Sequence, residues 1–484
     1  MKRLPVDTRA SMSLMPRAWL AGLAAVIVAG CTVGPEYRRP EVTPPQQFRS
    51  QVAPAEAGSL ADLPWWKVFN DKALQGLVVA ALRDNYDLKA AVARIEQARA
   101  QVTVVRADLY PQVGYEASAA REKSFIPLPG LKGNVTYSSF LTDVNAAWEL
   151  DLWGRVRRST EAAQAGLFAQ EDVRRAVMLT LVSDLAASYF ALIELDRELA
   201  IAQESSVTYK QTLDLFTQRF EGGRDSKLGV VRAQAAYDSS TATMASLNRA
   251  IAQQENAICV LLGAYPRAIE RGTRLEEQAM PTTPVGLTSD LLQRRPDIVQ
   301  AEQVMIGANA EIGVAVANFF PRIGLSALYG GQAVKVEDLF KTDFSIWSIA
   351  AGLTGPIFQG GRLRANVQAQ EAFWNESIAQ YKKTVTIAFQ ETSNALVAQQ
   401  TLVGQRGAQQ SQVQALREAV ELAMQRYSGG RANYFEVLDA EQSLFPSLSS
   451  LAQTERDQLI AVVSLYKALG GGWNLKDEEW GQPH

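Results

Sequence analysis

The sequence predicts a mainly α-helical chain with four β-strands, built as a duplicated half-domain. Three observations carry this. The motif Gln218-Arg219-Phe220-Glu221-Gly222-Gly223-Arg224 recurs as Gln425-Arg426-Tyr427-Ser428-Gly429-Gly430-Arg431. Both copies then run as helix-like sequence to a Leu-Gly stop, Leu262-Gly263 and Leu469-Gly470. Short alternating segments precede long proline-free ones in each half. Other landmarks pair as well: Asp87-Leu88 with Asp297-Ile298, Tyr110-Pro111 with Phe320-Pro321, Gly154-Arg155 with Gly361-Arg362. A period of about 200 residues is too long for a solenoid unit and reads as a duplicated half-domain.

The N-terminus comes first. Lys2, Arg3, Arg9 and Arg17 precede an apolar run from Ala18 to Gly30. That is an export signal over 1–30, too short to span a bilayer. It ends Val28-Ala29-Gly30-Cys31, small residues directly before a cysteine, as in a bacterial lipoprotein cleavage box. Cys31 is the expected lipidation site, and Thr32, where an aspartate would retain the chain at the inner membrane, favours the outer one. Residues 31–64 are rich in Pro, Gln and Ala and should run extended from the anchor.

The first repeat spans 65–270 and opens at Trp65-Trp66. Leu74 to Leu109 is Ala-rich and helical, and Tyr110-Pro111 stops it. A strand follows over about 111–123, where Val113, Tyr115, Ala117 and Ala119 alternate with polar or small residues. A second, over about 137–152, places Val144, Ala146, Trp148 and Leu150 against Asp143, Asn145, Glu149 and Asp151. The second repeat, 271–473, brings strands over about 321–331 and 344–356, the last with blurred alternation. A tail, 474–484, ends the chain.

This alternation suits either a soluble sheet or a barrel wall facing lipid. The export signal and lipid box favour the barrel. Four strands cannot close one, and open edges are not tolerated in lipid, so several chains must contribute. Three chains would give about twelve strands, within the known barrel range.

No proline occurs from Leu131 to Tyr265, nor from Ile357 to Phe445. Arg155 to Phe220 as one helix would be near 100 Å long at about 1.5 Å per residue. Its antiparallel return runs from Ser226 to Leu262. The hairpin tips fall at 219–225 and 426–432. Gly222-Gly223 and Gly429-Gly430 supply the left-handed turn, with Asp225, Ser226 or Asn433 as caps. Arg219, Phe220, Arg426 and Tyr427 make each tip a candidate docking surface, although a basic residue in a last helical turn also suits the helix dipole. After the second tip, Phe435, Asp439 and Gln442 share one helix face. Their threefold repetition would give an aromatic and an acidic constriction. Otherwise Asp439 is a solvated helix residue, paired with an arginine such as Arg431. The first-half counterparts of Phe435 and Asp439 are Leu228 and Arg232.

Composition excludes other classes. The only histidine is His484 and the only cysteine after Cys31 is Cys259. That removes disulfide frameworks, most hydrolase triads and most zinc sites. No catalytic residue, metal ligand or cofactor is expected, and the chain is not expected to be an enzyme. The net charge of -3 leaves no basic domain for nucleic acid.

Taken in order, several segments resemble a known family. They are Trp65-Trp66 with Phe69 and Asp71, Asn85-Tyr86-Asp87-Leu88, Arg94, Gln97-Ala98, Tyr110-Pro111 and Asp151-Leu152-Trp153-Gly154-Arg155. Arg294-Arg295-Pro296-Asp297-Ile298, Phe319-Phe320-Pro321, Leu438-Asp439-Ala440 and Leu465 to Trp473 complete the series. The chain resembles the outer-membrane efflux proteins of the TolC type, in the lipidated OprM-like (NodT-type) branch. The resemblance implies a homotrimer whose twelve-stranded outer-membrane β-barrel is continued by a periplasmic α-barrel. It implies a passive exit duct for drugs or other small toxic compounds. The partners implied are a periplasmic adaptor and an inner-membrane pump, commonly of the resistance-nodulation-division class. It assigns an iris-like periplasmic gate to Phe435 and Asp439, with Gln442 where the family can carry a latching arginine. Arg219 to Gly223 and Arg426 to Gly430 match the region that meets the adaptor. The alternatives are a periplasmic coiled-coil scaffold lipoprotein and a metal-ion-specific duct, though the eight methionines form no thioether ladder.

Overall fold

The computed structural model describes residues 32–45, 47–49, 59–125, 134–279, 288–472, 474–476 and 479–481. The expected signal segment and Cys31 lie outside the described residues.

In chain order the main elements are α1 (Lys72–Asp84), α2 (Tyr86–Ala107), β1 (Gln112–Phe125), β2 (Asn134–Leu150), α3 (Arg155–Glu221) and α4 (Lys227–Leu261). The second half repeats the later part as α5 (Pro296–Ala317), β3 (Arg322–Ala333), β4 (Ser345–Thr354), α6 (Arg362–Ser428) and α7 (Tyr434–Ala468). Duplication is visible in the lengths. α2 and α5 have 22 residues each, α3 and α6 have 67 each, and α4 and α7 have 35 each.

The helical stretch read from Leu74 to Leu109 is two helices. Asn85 separates them, because its side chain bonds elsewhere: Oδ1 accepts from Leu88 N at 2.9 Å and Nδ2 donates to Leu261 O at 2.9 Å. In the second half, Arg295 stands at the corresponding break before Pro296, which disfavours helical geometry in the residue preceding it.

The chain divides into two compact units. One comprises the described residues up to Arg39 together with 97–167 and 304–378. It holds a single antiparallel sheet of order β1-β2-β3-β4. Its register resolves the blurred alternation of β4. Val113, Ala146, Ala327 and Ile349 lie in one row across the sheet, and Tyr115, Val144, Tyr329 and Trp347 in the next. Paired residues point to the same side, so one face is apolar across all four strands. The opposite face carries the rows Gln112, Ala147, Ser326, Ala350 and Gly114, Asn145, Leu328, Ser348. The apolar face is bare within the chain: Tyr115 is 86% exposed, Trp347 72% and Ile349 80%. At the sheet's end Trp153 stacks on Phe320 at 4.7 Å and donates to Pro321 O at 2.7 Å.

The other unit comprises 40–96, 168–303 and 379–484. Its main core gathers Trp65, Leu74, Leu185, Tyr189, Ile258 and Tyr466, all fully buried. Asp71 ties this core together. Its carboxylate caps α1 through Ala73 N and Leu74 N, and also accepts from Tyr189 Oη, Thr273 N and Gln278 Nε2. Burial opposes ionisation there, but the hydrogen bonds from Gln278 and the backbone hold the carboxyl below the usual range. A second, smaller cluster packs Tyr209, Leu213, Phe216, Tyr434, Val437 and Leu438 beside the hairpin tips.

The two sheet faces should differ sharply in tolerance. Ile349→Arg, on the apolar face, should cost about 2–4 kcal/mol of folding into lipid vesicles, as a basic residue facing hydrocarbon does. Ala350→Arg, on the polar face, should cost far less. Equal losses in a urea titration would reject the assignment of faces.

Candidate functional site at the hairpin tips

Both tips are the same turn made twice. Arg224 N donates to Arg219 O at 2.8 Å, and Arg431 N to Arg426 O at 2.9 Å. Gly222 N and Gly429 N close onto Gln218 O and Gln425 O, each at 3.0 Å. Gly223 and Gly430 take φ of 69° and 66°, the left-handed region that ends a helix at low cost only for glycine. The caps differ. Asn433 Oδ1 accepts from Phe435 N at 3.2 Å and so caps α7. Ser226 occupies the equivalent place before α4 but makes no side-chain cap bond, and Asp225 Oδ1 accepts from Ser226 N at 2.8 Å.

The tips also meet. The Arg219 guanidinium lies 5.3 Å from the Tyr427 ring centre and bonds its hydroxyl. Tyr427 in turn packs edge-on against Tyr434 at 4.9 Å, and Tyr434 against Phe216 at 5.0 Å. Arg426 reaches Glu436 of α7 at 3.5 Å. Arg219 and Tyr427, both expected in the docking tips, thus contact each other, and the Arg219 side chain remains 39% exposed. Phe220, Gly222, Gly223, Gly429 and Gly430 remain exposed, as does most of Arg426.

Tyr434, Val437, Leu438 and Glu441 point one face of α7 inward. Phe435, Asp439 and Gln442 stand exposed on another, with Phe435 at 53%. Among the described residues no cation lies within ion-pair reach of Asp439, so Arg431 is not its partner. The Arg232 guanidinium of α4 instead lies 5.2 Å from the Phe435 ring centre, a cation–π contact. A groove of about 730 Å³ opens between α3, α4 and α7, lined by Tyr209, Arg232, Phe435, Leu438, Gln442 and Pro446 among others.

Sequence reasoning missed Glu441. It is buried, its Oε2 has no hydrogen-bond partner among the described residues, and burial pushes its carboxyl up to about 7. A signal existed. An acid interrupts the apolar spacing Tyr434, Leu438, Phe445, Leu448 along the inward face of α7.

The comparisons with known proteins fit this geometry. A sequence profile of the outer membrane efflux protein family matches residues 77–264 and 287–471, one stretch per repeat. The chain belongs to the outer membrane efflux protein family. It is 33% identical to the cation efflux system protein CusC of Escherichia coli K12 over 463 residues, covering 95% of this chain and 100% of that one. It is 34% identical to the toluene efflux pump outer membrane protein TtgC of Pseudomonas putida, covering 93% and 94%. Among solved structures, the outer-membrane channel OprN superposes with a TM-score of 0.85 at 30% identity over 92% of this chain and 100% of that one. The open state of the Neisseria gonorrhoeae MtrE outer membrane channel gives 0.83 at 33% identity over 92% and 99%. The chain thus has the fold of the trimeric outer-membrane efflux channels and is the outer-membrane channel component of an efflux pump. Its relatives are channels, not enzymes, and the scaffold reading is set aside.

Because the folded value of Glu441 lies above 4.5, the folded chain keeps a proton that the unfolded chain releases. This contribution to stability is full below about pH 4.5 and is lost as pH rises through about 7. Glu441→Gln should remove that slope. Thermal melts at about pH 5 and pH 8 should differ less in the variant than in the wild type, by on the order of 2 kcal/mol. Parallel slopes would show that Glu441 titrates normally.

Proposed function

We propose that three copies of this chain close one channel, and that the three α7 helices form its periplasmic gate. The reading rests on one observation: Phe435, Asp439 and Gln442 stand exposed on a single face of α7, without an ion-pair partner for Asp439 among the described residues. A threefold axis turns them into a ring of aromatics, a ring of carboxylates and a ring of amides. The aromatic ring excludes water and the acidic ring enriches cations. Gln442 leaves the gate without a charged latch at that level, and Arg232, held against Phe435, is a cation beside it.

Closure of the barrel follows from backbone chemistry. β1 and β4 each have one neighbour in the chain. In lipid their outer edges need partners, which copies of the same sheet supply as a barrel of about twelve strands. The lipid anchor is Cys31. Its neighbour Thr32 lies against Gly154, and Val33 N donates to Trp153 O at 3.1 Å.

The chain is a duct and performs no chemistry; the energy comes from an inner-membrane pump, of the resistance-nodulation-division type. The exposed parts of both tips receive a periplasmic adaptor, which favours the open iris by binding it better than the closed one. The cargo is drugs or other small toxic organic compounds. A metal-ion cargo is the second reading, favoured by the cation efflux relative, whose identity to this chain is close to that of the toluene efflux relative.

Single-channel recording of the purified protein in a planar bilayer tests the gate. Wild type should show a small, noisy conductance. Phe435→Ala with Asp439→Ala should raise it about tenfold or more, and Asp439→Ala alone should weaken cation preference. Unchanged conductance in the double variant, with trimers intact, would count against the gate. Separately, Cys31→Ala should abolish palmitate labelling while leaving trimers detectable.

A further inference from the structure

α4 and α7 are counterparts of equal length, yet only α7 carries a proline inside the helix, Pro446. The matching residue of α4 is Ser239. Proline lacks an N–H, so the Gln442 carbonyl has no helical donor, and the ring crowds the preceding turn. Two serines flank the same point. Ser443 Oγ donates to Asp439 O at 3.0 Å and Ser447 Oγ to Ser443 O at 2.9 Å, back-bonds of the kind that bend helices.

The packing partner changes near the proline, and Leu444 just before it already packs against the main core. Before it, Tyr434, Val437 and Leu438 belong to the small tip cluster. After it, Leu448, Leu459 and Tyr466 belong to the main core. Phe445, immediately before the proline, packs at the margin of both. The groove of about 730 Å³ lies alongside, and across it α4 presents the small polar residues Ser239, Ser240 and Thr243. The inward face of the shorter segment carries Glu441, whose Oε2 has no hydrogen-bond partner among the described residues.

We propose that Pro446 is the hinge of the gate. Residues 434–445 swing as a short arm on a fixed 447–468, with the groove as the space they move through. Phe435 lies about 16 Å from the hinge at about 1.5 Å per residue. A bend of about 20°, ordinary for a proline kink, would carry it about 6 Å. The proposal takes its purpose from the gate reading above, but its physical content is testable alone.

The test compares wild type with Pro446→Ala, which restores the N–H and favours helix, and Pro446→Gly, which keeps a weak point. Two readouts are needed on the intact protein: amide hydrogen exchange of 434–445 against 447–468, and single-channel open probability. Pro446→Ala should slow exchange of 434–445 about tenfold and lower open probability about tenfold, with Pro446→Gly within about threefold of wild type on both. Equal exchange in all three proteins would overturn the hinge, even if Phe435→Ala with Asp439→Ala opens the channel. Slower exchange in Pro446→Ala with conductance insensitive to every variant would leave the hinge standing and refute the gate.

Discussion

An unpaired strand edge in hydrocarbon is the constraint on which the rest depends. Each buried, unbonded N–H or C=O in lipid costs several kcal/mol, and the four described strands leave two edges open. Neither edge can be shielded by charge or solvent there. Only further copies of the same sheet can satisfy them, which makes assembly a condition of insertion. The helices inherit that symmetry. Whatever α7 exposes is repeated about an axis, so a single carboxylate becomes a ring without any other residue changing.

The duplication explains why so little sequence needs to specialise. α3 and α6 match in length, as do α4 and α7, and both tips close with the same hydrogen bonds. The halves depart from each other on the return helices. Where α4 has Leu228, Arg232 and Ser239, α7 has Phe435, Asp439 and Pro446. The first set carries a base; the second carries an aromatic ring, an acid and a proline inside the helix. On the proposed gate, a scaffold of two equal hairpins would yield one that stays and one suited to move.

How much of this was legible in the sequence depended on range. The tips were legible, because a left-handed glycine after a long helix is a local requirement. So was the exposed face of α7, because helical spacing places Phe435, Asp439 and Gln442 together. The face of β4 was not, since its small residues carry no alternation of their own; only pairing with β3 shows Ile349 and Trp347 continuing an apolar row. The break at Asn85 was read through, because asparagine is tolerated in helices and its partner Leu261 is distant in sequence. The meeting of Arg219 with Tyr427 was invisible for the same reason. Glu441 left a trace, one acid in an apolar stripe, whose meaning required its burial.

The contacts at the tips are of the size a passive gate needs. Moving a two-state equilibrium from about 1:99 to 99:1 requires a differential affinity of about 5.5 kcal/mol. Shared over three chains, that is about 2 kcal/mol per chain. An exposed ion pair such as Arg426 with Glu436 contributes about 0–1 kcal/mol. A cation–π contact such as Arg219 with Tyr427, or Arg232 with Phe435, contributes about 0.5–1 kcal/mol where solvent reaches it. Two or three such contacts per chain together reach about that size. They remain weak enough for a protein docking on the tips to replace them. A fully buried salt bridge would lock the ring instead, because breaking one strands a charge at about 3–5 kcal/mol. On the proposed gate, the surface placement of these contacts would let docking on the tips replace them without stranding a buried charge.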